Sequence, residues 1–417
     1  MTGGGGLLQL VARGKQDVFL TGNPQITWFK MVYRRYTNFA IESMPMYFDG
    51  DPDFGKRLSC LIPRRGDLLG QVMLEVTLPA IKLSSDHTTV ASYVNAVGHA
   101  LIQEISIEIG EQEIDKQTGE WMEIWSNLTT SEEHKFGFYD MIGKVDGYLP
   151  PNLYGPLKLY IPLRFWFCKN PGLALPLLAL QYHPIRINIT LRPLQQMFYS
   201  DTLVKNCDTT TVDIAKITSM MLWGDYVHLD VDERRRFVSN AHEYLIEQVQ
   251  YTPQISIPEK TTTLPVRVEF NHPIREFIFV LQKNVMQSYH EWFNYSSLAI
   301  SESGQRTDLL STAILQLDGQ DRFQERDAGY FRLVQAWQRH TVIPNEDFLY
   351  LYSFALKPED AQPSGSLNAS RIDNIIWNLT MNQATNPSRG NCCVRIYATN
   401  HNVLRVVEGF GGLLFTI

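Results

Sequence analysis

Along most of the chain apolar and polar residues alternate with a period of two, in short runs closed by Gly, Pro, Asn or Asp. That pattern predicts strands. In the first half the clear runs are Phe39 to Phe48, Arg57 to Ile62, Val72 to Leu78, Ile105 to Ile109, Leu159 to Phe167, Ile185 to Leu191 and Ile217 to Leu229. A charged stretch, DVDERRRF, then follows Leu229, with Asp232 positioned to cap a short helix or turn. A second series comprises Glu243 to Tyr251, Leu264 to Phe270, Phe277 to Gln282, Ile314 to Leu317, Phe348 to Leu356, Ile375 to Met381 and Val394 to Val407.

The two series resemble each other. ISIEIGEQEIDKQTGEWMEIW (105–125) lines up with ILQLDGQDRFQERDAGYFRLV (314–334). In both, an alternating strand reaches a turn glycine (Gly110, Gly319), then a polar stretch, then a second glycine (Gly119, Gly329) that opens an amphipathic helix. LYIPLRFWF (159–167) pairs with LYLYSFAL (349–356), and RINITL (186–191) with IWNLTM (376–381), in the same chain order. Ordered self-similarity of this kind points to duplication. Two units of seven or eight antiparallel strands, each with a helix inside a connection, imply jelly rolls. The expected fold is all-β: two tandem eight-stranded antiparallel jelly rolls with short helices in the connections. The expected divisions are an N-terminal arm (1–25), a first roll (26–230) and a second roll (231–417) that begins with a linker (231–241). Long connections fall at Lys82 to Gln103, Cys168 to His183, Lys283 to Ala313 and Lys357 to Asn374, and loops of that length usually carry function.

Composition narrows the class. Only 19% of the residues are charged and 12% are aromatic, against roughly 25% charged in an average soluble domain, so much surface is destined for packing and an oligomer is expected. The net charge of −7 excludes a generally basic nucleic-acid binder. Residues 1–65 are nevertheless net basic, and the two parts are expected to face different partners. Cys60, Cys168, Cys207, Cys392 and Cys393 show no CxxC spacing. Reduced thiols are expected, with Cys392 and Cys393 on opposite faces of a strand. No run is apolar and long enough to span a bilayer as a helix, and the start of the chain does not read as a signal peptide.

Candidate chemistry is sparse. No GxxxxGK[ST], HExxH or GxSxG occurs, and no catalytic residue, cofactor site or metal site is assigned. The acidic run Glu108, Glu111, Glu113, Asp115, Glu120 and Glu123 lacks EF-hand spacing and is expected to be a solvated or subunit-facing edge. KMVYRRYTNF (30–39) reads as aromatics entering a strand rather than a nucleic-acid platform. The arm combines Leu7, Leu8, Leu10, Val11 and Trp28 with Arg13 and Lys15. Such a short segment is expected to order only against neighbours. Of five Asn-x-Ser/Thr sequons, at Asn127, Asn188, Asn294, Asn368 and Asn378, those at Asn294 and Asn368 fall on long connections and are the candidate glycosylation sites.

GGGGLLQLVARGKQDVFLTGNPQITWFKMVYRRYTNFA (3–40) resembles the opening of the major capsid proteins of nucleocytoplasmic large DNA viruses, most of all the phycodnavirus type. The resemblance continues through GDLLGQVMLEVTLP (66–79), Tyr93 to Leu128, LYIPLRFWFCKNPGLALPLLAL (159–180), HEYLIEQVQ (242–250), LDGQDRFQERDAGYF (317–331), PSGSLNASRIDN (363–374) and RVVEGFGGLLF (405–415). It implies a double jelly-roll structural protein, without catalysis or cofactor, that homotrimerises into pseudo-hexagonal capsomers tiling an icosahedral shell. The expected partners are further copies of the chain and internal minor capsid proteins at the arm, with no direct nucleic-acid contact and no transmembrane segment. The expected location is the virion capsid, after synthesis and assembly in host cytoplasm. The alternatives are a paralogous minor capsid protein and, from another class, a carbohydrate-binding β-sandwich.

Overall fold

The structure, a computed structural model, describes residues 4–83, 92–146, 153, 156–199, 212–213, 216–300, 302–382 and 390–416. Cys207 and residues 84–91 of the first long connection lie outside them. The first 38 residues form a unit of their own. It contains the short helices α1 (Gly4–Val11) and α2 (Asp17–Thr21), neither with a buried residue. The remaining chain, from Phe39, is the second unit.

That body opens with strands β1 (Phe39–Met46), β2 (Arg57–Leu61), β3 (Leu68–Leu78), β4 (Ile102–Ile109), β5 (Gln112–Thr118), β6 (Leu157–Pro162), β7 (Ile185–Leu191) and β8 (Ser219–Leu229). They pair as two four-stranded antiparallel sheets, β1-β8-β3-β6 and β2-β7-β4-β5. The next eight are β9 (His242–Tyr251), β10 (Thr263–Val268), β11 (Pro273–Lys283), β12 (Leu310–Leu317), β13 (Gln320–Asp321), β14 (Tyr350–Ser353), β15 (Ile375–Met381) and β16 (Cys392–Val407). They pair as β9-β16-β11-β14 and β10-β15-β12-β13. Adding eight to every strand of the first two orders gives the second two. The duplication is therefore one of topology, and each half is a jelly roll. Short strands extend the second set: Ile255–Ile257 and Phe410–Leu413 on β16, Leu367–Asn368 on β11, and Arg326–Asp327 on β12.

Burial explains why these segments are strands. In β7, Ile185, Ile187, Ile189 and Leu191 belong to the first apolar core, one residue in two. The second core surrounds Trp377 of β15, whose ring centroid lies 5.1 Å from that of Phe279 on β11 and 5.8 Å from that of Phe277. Cys392 and Cys393 open β16, both buried.

Three expectations are corrected. The run Leu159 to Phe167 is a strand only to Pro162, and Trp166–Lys169 is helical; proline cannot donate to a continuing ladder. The polar stretches after Gly110 and Gly319 are themselves strands, β5 and β13. Their polar sequence hid them, because Asp115 and Gln117 of β5 are buried although hydrophilic. The linker helix Val231–Ser239 is capped by Asp230, whose carboxylate accepts from the Val231 N–H at 2.7 Å, and not by Asp232, which lies in the first turn.

Two further helices follow β5: α3 (Gly119–Thr129), with Thr118 Oγ1 accepting from the Trp121 N–H, and α4 (Glu132–Ile142). The counterpart after Gly329 starts as a π-helical turn, Tyr330–Val334, and continues as α5 (Gln335–Arg339). Gly119 is indispensable where α3 begins. A Cβ there would lie 2.0 Å from the His99 carbonyl oxygen and 2.3 Å from that of Ile102, so backbone would have to move. Gly119→Ala is expected to lower stability by about 1–3 kcal/mol, read as a reduced midpoint of thermal unfolding. An unchanged midpoint would contradict this close approach.

Candidate functional site: the junction between the rolls and the uncovered faces

Antiparallel sheets usually keep one face wet and alternate buried with exposed residues. In the first roll β3 does so, with Val72, Leu74, Val76 and Leu78 buried and Gln71, Met73, Glu75 and Thr77 outside the core. The equivalent β11 does not, being buried from Ile274 to Lys283 without a break. Phe277, Phe279 and Leu281 belong to the core of the second roll. Ile278 and Val280, on the other face, pack with Trp121, Ile124, Trp125 and Leu128 of α3. The first roll thus lays α3 across the outer face of the second roll's β9-β16-β11-β14 sheet. Full burial of that many large side chains is worth about 1.5–3 kcal/mol each.

Polar groups fix the register of this contact. Glu120 at the start of α3 accepts from Arg395 Nε and Nη2 at 2.6 and 2.5 Å, from the Tyr295 hydroxyl at 2.9 Å, and from the Tyr397 hydroxyl. Asp115 of β5 accepts from the Val249 N–H of β9 at 3.0 Å, and Gln248 donates to the Ile114 carbonyl. Burial pushes Asp115 up to about 6 despite those hydrogen bonds. Lys169 of the first roll and the buried Arg275 of the second share Glu247, at 2.6 and 2.7 Å. Burial alone would raise Glu247, but the two cations outweigh it and hold the carboxyl at about 2. Separating a buried pair leaves an uncompensated charge, which costs far more than the pair itself contributes, so this arrangement resists a shift of one roll against the other.

Two histidines sit beside the contact in opposite states. His99 is buried with Nδ1 2.6 Å from Glu123 and Nε2 unpartnered. Burial lowers its pKa by more than Glu123 raises it, so it stays neutral, donating through Nδ1. Glu123 also takes Lys144 at 2.7 Å. His340 lies between two carboxylates, Glu276 at 2.8 Å from Nε2 and Glu359 at 2.9 Å from Nδ1, with the edge of Trp125 against it. Burial would lower His340, but Glu276 and Glu359 prevail and raise it to about 9. It is an imidazolium donating from both nitrogens.

Among the described residues, no helix covers the first roll's equivalent sheet as α3 covers the second roll's. Met73, Met221, Trp223 and Tyr160, grouped around Glu75, form a half-buried strip on the outer face of β1-β8-β3-β6. Glu75 accepts from the Trp223 indole N–H at 3.1 Å and pairs with Lys158 at 3.0 Å. The helix equivalent to α3 is equally bare. Trp337 of α5 is 72% exposed, whereas Trp121 and Trp125 are 1% and 4% exposed. Val334 and Leu356 are exposed as well.

The sequence-predicted residues fare unequally. Leu7, Leu8, Leu10, Val11 and Trp28 are exposed large apolar side chains, and Arg13 and Lys15 are exposed with them. Phe29, Tyr33 and Tyr36 are exposed too, so the aromatics of 30–38 do not enter a strand, which starts only at Phe39. Asn294 is corrected as a glycosylation candidate. It is buried, its amide nitrogen donating to Glu291 at 2.6 Å and to the Leu298 carbonyl at 3.0 Å, so a glycan there would have no room in the fold. Asn368 is exposed. Within the acidic run, Glu111 and Glu113 are exposed as expected, but Asp115 and Glu123 are buried and Glu120 is engaged by Arg395. The junction residues that sequence reasoning missed, Arg395, His340, Glu247 and Arg275, are scattered singles. The unbroken apolar run of β11 was the available signal.

Comparison with known proteins agrees with this architecture. Residues 27–230 match the family described as the major capsid protein N-terminus, and residues 233–412 the large eukaryotic DNA virus major capsid protein. The chain is 38% identical to the major capsid protein of Paramecium bursaria Chlorella virus 1 and 36% identical to that of Phaeocystis pouchetii virus, over 99% of this chain and 99% of each relative. Among solved structures it is similar to the quasi-atomic model of the PBCV-1 capsid, with a TM-score of 0.78, 32% identity, and coverage of 94% of this chain and 100% of the other. The Faustovirus major capsid protein shares the fold at 12% identity, with a TM-score of 0.76 and 96% of both chains covered.

His340 makes the junction sensitive to alkali. Its folded-state pKa lies above the ordinary 6.5, so its stabilisation is fully present below pH 6.5 and is lost as pH rises through about 9. The loss is expected to approach about 3 kcal/mol. Urea unfolding between pH 6 and 10 reads it as a falling midpoint. His340→Gln should be less stable than the parent at neutral pH and should show a flatter alkaline limb; an equally steep limb in the variant would assign the effect to another group.

Proposed function

This chain belongs to the large eukaryotic DNA virus major capsid proteins, structural proteins of the icosahedral capsid and not enzymes, and on that premise we propose how its copies join. Three copies form a capsomer of six rolls, pseudo-hexagonal in outline. In it α5 of one copy, with Trp337, Val334 and Leu356, covers the Met73, Met221, Trp223 and Tyr160 strip of the next. Each contact between copies then repeats the contact that α3 makes within a copy.

One observation carries this reading: the two rolls share a topology, yet the outer face of one sheet, β9-β16-β11-β14, is covered and that of its equivalent, β1-β8-β3-β6, is not covered by any helix among the described residues. Uncovered apolar faces on both sides of a repeated contact are what a closed ring needs, since a heterologous contact that closes makes a ring of fixed size. Aromatic anchors of this kind commonly dominate such interfaces.

The arm completes the proposal. Its exposed Leu7, Leu8, Leu10, Val11 and Trp28 and its basic Arg13 and Lys15 order against neighbouring capsomers and internal minor capsid proteins, during assembly in host cytoplasm. A short helix with no buried residue is not held by its own contacts.

The purified protein is expected to scatter light as three times 47.9 kDa. Trp337→Ala should weaken each contact by about 2–4 kcal/mol and yield monomers on dilution while far-ultraviolet circular dichroism stays unchanged. A variant that remains trimeric at every concentration would remove α5 from the interface. Deleting residues 1–25 should leave the trimer intact and impair shell assembly, scored by electron microscopy; normal shells from the shortened chain would refute the arm's role.

A further inference from the structure

A cavity of about 290 Å³ lies where the two rolls meet, walled by α3 and α4 of the first and by residues 290–300 and 342–347 of the second. Its charges do not balance. Glu123, Glu132, Asp146, Glu291, Glu346 and Asp347 line it, against two lysines. Both lysines are already engaged. Lys144 holds Glu123 at 2.7 Å and the Asn127 side-chain oxygen at 2.7 Å, over the Tyr139 ring, while Lys135 reaches Asp146 at 3.4 Å and Glu132 at 3.7 Å. His290, the third basic group on the wall, is lowered by burial and turns Nδ1 to the Phe198 carbonyl.

Asp347 is left over. Its carboxylate receives no hydrogen bond among the described residues, and burial raises its pKa although Lys144 opposes this. The Glu291 carboxylate, pushed up by burial to about 7, takes hydrogen bonds from Asn294 and the Ile300 N–H among the described residues. Trp292, Phe293, Ile300 and Ile343 give the wall an apolar part, beside the polar Asn95, Ser126, Asn127, Thr130 and Asn345. Junctions between domains are a common place for a small-ligand site. Among the described residues no set of three His, Cys, Asp or Glu side chains has the arrangement to hold a metal ion. An organic cation has no such need, because its N–H groups reach separate acceptors while its stem lies on the apolar wall.

We propose that this cavity is a binding site for a small alkylammonium ion, its nitrogen at Asp347 and its carbon chain against Trp292 and Ile343. Bound there, the ion touches both rolls and ties them together, since a ligand that binds only the folded state stabilises it by mass action. The site lies within one chain and does not depend on the trimer.

The test uses the full-length protein with n-butylammonium chloride as probe and sodium chloride at equal ionic strength as control. Titration calorimetry should show saturable binding of one ion per chain, and the unfolding temperature should rise with the probe beyond the rise in sodium chloride. Asp347→Asn should weaken binding by about tenfold or more, as expected for losing a charged hydrogen bond. Thr130→Phe, at another point of the wall, should block binding without touching the carboxylate. Butylammonium that gives no saturable heat, or binds both variants as tightly as the parent, overturns the proposal. Light scattering on the same samples separates the two readings: a trimer that fails to bind refutes the cavity site alone, and a monomer that binds refutes the trimer alone.

Discussion

Covering the outer face of the second roll's β9-β16-β11-β14 sheet is the constraint on which the rest of this structure depends. A jelly roll closes its own core and leaves its outer faces to water, and in the first roll the alternation in β3 shows that solution. In the second roll β11 carries apolar residues on both faces. Left bare, Ile278, Val280 and Leu351 would form an apolar patch of the kind soluble monomers avoid. The first roll removes it with α3, and α3 can lie there because it starts at a glycine pressed against two carbonyl oxygens. The two rolls are one folding body for this reason.

The junction is also unusually rich in charge for a buried surface. Glu120 with Arg395, Glu247 with Lys169 and Arg275, and His340 with Glu276 and Glu359 are each paired within hydrogen-bond distance. Buried pairs of this type add little net stability over apolar residues of the same shape. Their effect is on geometry: a slide of α3 along the sheet that an apolar contact would tolerate leaves at least one charge uncompensated. A shell protein has reason to hold its two rolls at one angle, because every error within a subunit is repeated across the lattice. Function here is the precision of a surface rather than the reactivity of a site.

Several elements were legible in the sequence because their burial is simple. The runs Ile185 to Leu191 and Ile375 to Met381 coincide with β7 and β15 to the residue, each having one face on a core and the other outside it. The helix after Gly119 and the order of the duplicated blocks were equally readable. Strands β5 and β13 were not. Strand β5 buries Asp115 and Gln117, which read as loop residues; Gln117 donates to Asp115 within the strand, and the Val249 N–H of β9 donates to Asp115 from the other roll. Asn294 misled for the converse reason: its connection reads as exposed, but Glu291 and Leu298 fold around it.

By itself the sequence determined the all-β class, the tandem duplication, the family and the absence of known catalytic motifs, because period-two alternation, ordered repeats and long blocks are local properties of a chain. Only the tertiary structure decided which of two equivalent sheets is covered, that Asp115 and Glu123 of the acidic run are buried and Glu120 is held by Arg395, and that His340 is charged. Those depend on pairs far apart in sequence, such as Glu120 with Arg395 and Glu276 with His340. A side chain's neighbours set its burial and its charge, and the sequence order of a jelly roll does not reveal who the neighbours are until the sheets have closed.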